Sequence, residues 1–405
     1  MRRRRGGRGT LVAVVFVAFL AGCNSALIRP PAIVYADAGS RAIGAAVGER
    51  DARYSSVMTS FFPSLIPLHP GDAVNFEVRD SGEPHTVAMG RLVDAAITAL
   101  DTLPTTADLR AFEGLPQMRA LPTVFPSGVE GDTPRVNRSA AERCFLARGA
   151  PAVSATGGAR ACPERDQPDF DGTQAFYSAG HLEEGEPFRV KLADDIRPGI
   201  YGFMCLVHRA AMTGAIEVRA PSVDRPPVAD VRREATEEED DVASSLSAVA
   251  RRVLTRTEEG VLAGTGPAGR ARGFLSSFIP DRTGIDAGDT VTWELFGTHS
   301  ISFEPERRAR EGILLEDDEG VRINVDAWRP VGSPAQPQAA LAYPPTLAEV
   351  RVDGGSWGGE GSFSSGILRA TPPAKVLYTL RFTEPGTYRY LCVVHQPMRG
   401  TVEVS

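Results

Sequence analysis

Basic charge and histidine are both scarce in this chain. Its 44 Lys and Arg are outnumbered by 51 Asp and Glu, for a net charge of −7. Without a basic surplus nothing here neutralises a run of phosphates, which argues against a nucleic-acid partner. Long apolar stretches are missing too. The run Leu11–Leu20 is unbroken but falls short of the ~20 residues a spanning helix needs. There are only five Cys and six His in 405 residues, so each one can be asked for its role. What the chain does have is 41 Gly and 31 Pro, with Phe, Val and Thr in short runs. That is the texture of many short strands joined by turns, and it speaks against a helical bundle.

The first 23 residues read as a targeting segment. Arg2–Arg5 and Arg8 form a basic head, and Leu11–Leu20 fits the apolar core of a signal peptide. The stretch ends in Leu20-Ala21-Gly22-Cys23, which resembles the lipobox of bacterial lipoproteins. The resemblance implies cleavage before Cys23 and lipidation of its sulfur. Acyl chains contribute about 0.8 kcal/mol per buried CH₂, so several on one residue make a stable anchor. The expectation is an exported protein held at a bacterial membrane, with residues 24–45 as a tether. In that oxidising compartment Cys144 and Cys162 are expected to form a disulfide. Cys205 and Cys392 remain.

Those two cysteines sit in an internal repeat. Ile200-Tyr-Gly-Phe-Met-Cys205-Leu-Val-His208 lines up with Thr387-Tyr-Arg-Tyr-Leu-Cys392-Val-Val-His395. Both run through a Met and a Gly into a closing strand, Ala215-Ile-Glu-Val218 and Thr401-Val-Glu-Val404. Upstream, Pro70-Gly-Asp-Ala-Val-Asn-Phe-Glu77 matches Ala287-Gly-Asp-Thr-Val-Thr-Trp-Glu294, and Phe61-Phe-Pro63 matches Phe278-Ile-Pro280. Val74, Phe76 and Val78 alternate as a strand does, and so do Val291, Trp293 and Leu295. The expectation is two all-β sandwiches, residues 46–220 and 258–405, joined by an acidic linker over 221–257. Insertions occupy 90–175 and 304–360.

Each copy carries a His after its second matched strand, then Cys, His and Met in close spacing. These are His85, Cys205, His208 and Met212, and then His299, Cys392, His395 and Met398. A thiolate and two imidazoles with a weak axial thioether is the donor set of a blue copper site. A lone Cys-x-x-His is a weak signal; this one occurs twice, each time with an upstream His in register. Four of the six His fall on these positions. His69 and His181 have no His counterpart in the other copy and are read as structural or surface residues.

The pattern resembles the cupredoxin family, plastocyanin and amicyanin in particular. The resemblance implies Greek-key β-sandwiches and one type 1 copper per domain. Plastocyanin-like proteins often place Asn after the first His and Ser or Thr after the Cys, where they link the two ligand loops. Here Thr86 and Ser300 follow the histidines, and Leu206 and Val393 follow the cysteines, so that link is not carried over.

The function expected is one-electron transfer with redox proteins at the membrane surface. Copper storage or delivery without redox turnover is the alternative. Multicopper oxidases and copper nitrite reductases also use tandem cupredoxin domains, but they need further His ligands, commonly beside the blue-copper Cys. With two spare His, the expectation is a carrier and no enzyme.

Overall fold

A computed structural model describes residues 32–37, 40–47, 50–79, 83–125, 134–154, 158–164, 166–185, 187–254, 260–267, 269–335, 347–370 and 374–405. The signal segment and Cys23 lie outside the described residues.

Two sandwiches repeat one strand order. In the first, one sheet runs Phe188–Lys191, Ala73–Arg79, Ala32–Asp37, Ser60–Phe62. Its partner runs Leu65–Leu68, Thr213–Val218, Gly199–Met204, His85–Met89, Phe176–Leu182, Cys144–Leu146. The second sandwich repeats the first sheet as Lys375–Phe382, Thr290–Leu295, Val261–Thr265, Phe274–Ile279. It repeats the second as Arg282–Ile285, Arg399–Val404, Gly386–Leu391, Ser302–Phe303, Phe363–Ser364. Even the sense of pairing recurs. Ala32–Asp37 runs parallel to Ala73–Arg79, as Val261–Thr265 does to Thr290–Leu295. The architecture is all-β, two sandwiches of one strand order.

Alternation builds each core. Val74, Phe76 and Val78 are buried on one face, while Asn75 and Glu77 on the other are half-buried. Phe76 meets Phe61 and Phe203 edge to face at 6.2 and 5.0 Å. In the second core, fully buried Trp293 packs against Tyr390 at 5.5 Å and donates its indole N–H to the Tyr390 hydroxyl at 3.1 Å. Large rings with a polar tip need such a partner when buried.

The two halves are less separable than the repeat suggests. Part of the expected tether, 24–45, forms strand: Ala32–Asp37 lies inside the first sandwich, and Ser40–Val47 pairs with Arg50–Val57. That hairpin extends the sheet of the second half, through Phe274↔Val57 and Leu275↔Ser56. The stretch expected as an acidic linker, 221–257, contains a helix, Val228–Leu254. Val231, Ala235, Val242, Leu246, Val249 and Ala250 recur at helical spacing and are buried, and all but Val231 join one cluster with Met58, Phe62, Leu275 and Ile279. Within its acidic run, Glu238 accepts a hydrogen bond from the Ser64 backbone and pairs with Arg272 at 2.6 Å.

The first insertion is clamped to the ligand turn. Its helices Arg91–Leu100, Leu109–Glu113 and Pro116–Arg119 precede the disulfide Cys144–Cys162. Buried Arg209, one residue past His208, donates to Glu113 at 2.6 Å and to the carbonyls of Met118, Leu121 and Pro122. It does so from a left-handed backbone, φ 46°, which costs a non-glycine residue about 1–2 kcal/mol. Four hydrogen bonds hold it there.

Arg209→Ala removes the buried guanidinium that ties the ligand turn to Glu113 and to three backbone carbonyls. A loss of about 3–5 kcal/mol is expected, measured by urea unfolding, as for truncation of one partner of a buried ion pair. A loss below ~1 kcal/mol, the range of an exposed pair, would contradict the clamp.

Candidate metal centres

Each centre is assembled by one turn and one strand. Cys205 closes the strand Gly199–Met204, and its backbone N–H is held by the Met212 carbonyl at 3.0 Å. The chain between folds back through His208, and the Arg209 N–H returns to the Cys205 carbonyl at 2.8 Å. His85 begins the neighbouring strand, His85–Met89. The second copy repeats this: the Cys392 N–H meets the Met398 carbonyl at 3.1 Å, and His299 ends the short strand Gly297–His299.

The donor atoms converge. Cys205 Sγ lies 3.9 Å from His85 Nδ1 and 3.6 Å from His208 Nδ1. Cys392 Sγ lies 3.7 Å from His299 Nδ1 and 3.5 Å from His395 Nδ1, and the two Nδ1 atoms are 3.0 Å apart. Within each triad all ligating atoms fall within 4.8 Å of one another. Met212 and Met398 are fully buried in the same clusters as their cysteines. One sulfur and two ring nitrogens, gathered twice in an apolar core, fit copper by donor chemistry. The ions would be held by His85, Cys205 and His208, and by His299, Cys392 and His395.

A link between the ligand loops, not expected from the side chains after the cysteines, is present. Thr86 Oγ1 accepts the Leu206 N–H at 2.7 Å, and Ser300 Oγ accepts the Val393 N–H at 3.0 Å. The Ser300 N–H points at Cys392 Sγ, 3.4 Å away. The hydroxyl after the His thus ties to the backbone after the Cys, so no side chain is needed there. Such bonds orient ligands and tune the metal.

Glu83 was missed by sequence reasoning. Its carboxylate stands between the centres, one oxygen 2.7 Å from His208 Nε2 and the other 2.6 Å from His395 Nε2. Burial alone would raise its pKa. The charges of His395 and His208, with the hydrogen bonds from both, outweigh burial and hold Glu83 well below the carboxylate range. Burial likewise opposes charge on His208 and His395. Bonds and charges from the adjacent thiolate and from Glu83 push both up to about 10. For Cys205 and Cys392 burial opposes ionisation, but hydrogen bonds and charge from their histidines hold both thiols well below the ordinary value.

The other two histidines stay outside the triads. His69 is buried and bonds the Val223 carbonyl through Nε2 at 2.8 Å. His181 pairs across the sheet with Thr86, its Nδ1 buried without a hydrogen-bond partner. Burial pulls its pKa down.

No protein-family model matches this chain, and no curated protein does. Among solved structures, it is similar to a multicopper oxidase: 12% identity, 92% of this chain and 88% of that one covered, TM-score 0.19. A Cu-containing nitrite reductase from Thermus scotoductus SA-01 is 13% identical, over 92% and 98% of the two chains, with a TM-score of 0.21. A copper nitrite reductase from Nitrosomonas europaea is 8% identical, over 92% and 93%, at 0.18. Likeness this remote assigns no reaction. The expectation of a carrier and no enzyme is withdrawn: the solved structures found beside this chain are named as copper enzymes.

In the metal-free protein both cysteines are expected to be thiolates at neutral pH. Their ultraviolet thiolate absorption should persist at pH 7 and fade only on acidification. A band that appears only as pH rises through ~8.5, the free-thiol value, would contradict the pairing.

Proposed function

We propose that the chain holds two mononuclear type 1 copper ions and transfers single electrons. The observation that carries this reading is the pair of buried triads, each with one thiolate and two Nδ1 atoms facing a common point. Copper, when bound, supplies a one-electron couple. The protein's part is to fix the ligands and exclude water. Thr86 and Ser300 lock the turns, and Met212 and Met398, fully buried in the same clusters as their cysteines, would supply the weak thioether donors. Of the six triad side chains five are essentially buried, and His208 alone keeps 12% exposure. That exposed edge is where a redox protein partner would dock, since outer-sphere transfer needs close approach and no open coordination position.

No helix among the described residues is long and apolar enough to cross a membrane. We place the protein outside the cytoplasm, with Cys23 as its lipid anchor. Labelling with a fatty-acid analogue should vanish in Cys23→Ala; a label that stays would discard the anchor.

Copper titration should saturate at two ions per chain and give the intense visible band of a thiolate–Cu(II) bond. Cys205→Ser and Cys392→Ser should each remove about half of that band. Saturation at one ion, or a band untouched by either change, would overturn the reading. Spectroelectrochemistry should show the band bleach and return reversibly.

A further inference from the structure

Glu83 does something that neither centre needs alone. It lies two residues before His85, on the first half's ligand loop, yet it reaches His395 of the second half, 312 positions away. The matching position before His299 is Gly297, which has no side chain to offer. One carboxylate therefore serves both centres.

The chemistry of the contact explains why it is a carboxylate. This step rests on the copper reading given above. With Nδ1 of His208 and His395 turned to the metals, the remaining proton of each ring sits on Nε2. Two N–H donors then converge on one side chain, and each needs an acceptor. A carboxylate offers one oxygen to each, as found at 2.7 and 2.6 Å. An amide cannot, because its nitrogen would meet the second N–H as a donor facing a donor. Glu83 is only 8% exposed, so water does not readily take over.

We propose that Glu83 is a positioning residue shared by the two centres, which couples them by orienting a ligand histidine of each. Its negative charge adds electron density to both imidazoles, so both metals feel it. Removing it disfavours the more positive, oxidised ion at both sites. A residue that merely supported the first ligand loop would affect the first centre alone.

The test is Glu83→Gln, loaded with copper and titrated by spectroelectrochemistry beside the unaltered chain. The variant is expected to bind two ions and keep its visible band. Both midpoint potentials should rise, each by the equivalent of about a tenfold change in its redox equilibrium, ~59 mV for one electron. A shift at one centre only, or at neither, overturns the proposal while leaving the copper reading intact. An unaltered chain that takes up no copper defeats the copper reading first. A second measurement needs no substitution. In the Cu(I) protein, NMR should show two Nε2–H protons, from His208 and His395, both shifted downfield and slow to exchange. If either exchanges freely, the bridge is absent.

Discussion

Three acidic groups, Cys205, Cys392 and Glu83, are buried in the interior, and the rest of the structure is arranged around compensating them. A lone buried anion is costly enough that it ordinarily neutralises. Here each has imidazoles within hydrogen-bonding distance, and the chain His85–Cys205–His208–Glu83–His395–Cys392–His299 runs unbroken from one half to the other. Such a network is stable only when every member has its partner. Through Glu83 that requirement ties the ligand turn of one sandwich to that of the other.

The sandwiches supply rigidity where this network needs it. Each cysteine ends a strand paired on both sides, and each ligand turn is closed by a backbone bond from Cys to Met. The first turn is pinned further by Arg209 to the inserted helices, while the second has Phe274 set edge-on to both of its histidines, at 6.2 and 5.7 Å. The consequence is an unequal pair. The first centre reaches the surface through His208, and the second is sealed, with His395 only 1% exposed. Copies of one unit have acquired different surroundings, and different accessibility with them.

The triads were legible because the repeat writes them twice. A Cys-x-x-His in register with an upstream His, in both copies, leaves little else for those residues to do. The same logic hid Glu83, because a residue lying between two pseudo-equivalent halves need occur in only one of them. Its counterpart is Gly297, so the repeat gives it no match. Thr86 and Ser300 were visible as positions, but their bonds run to backbone N–H groups, and a backbone partner leaves no mark in the side-chain pattern. The hairpin formed by 40–57 escaped for a related reason. Its attachment to the second half is a matter of strand pairing some 220 residues away, which local alternation does not encode. The helix Val228–Leu254 was hidden by the acidic run at its middle, which reads as linker although spaced apolar residues on either side of it form a packed face.

X-ray absorption at the copper edge of the loaded protein tests the central claim most directly. The account predicts that every bound copper has one sulfur at thiolate distance and two imidazole nitrogens in its inner shell. A shell of nitrogen and oxygen alone, with no sulfur, would contradict it.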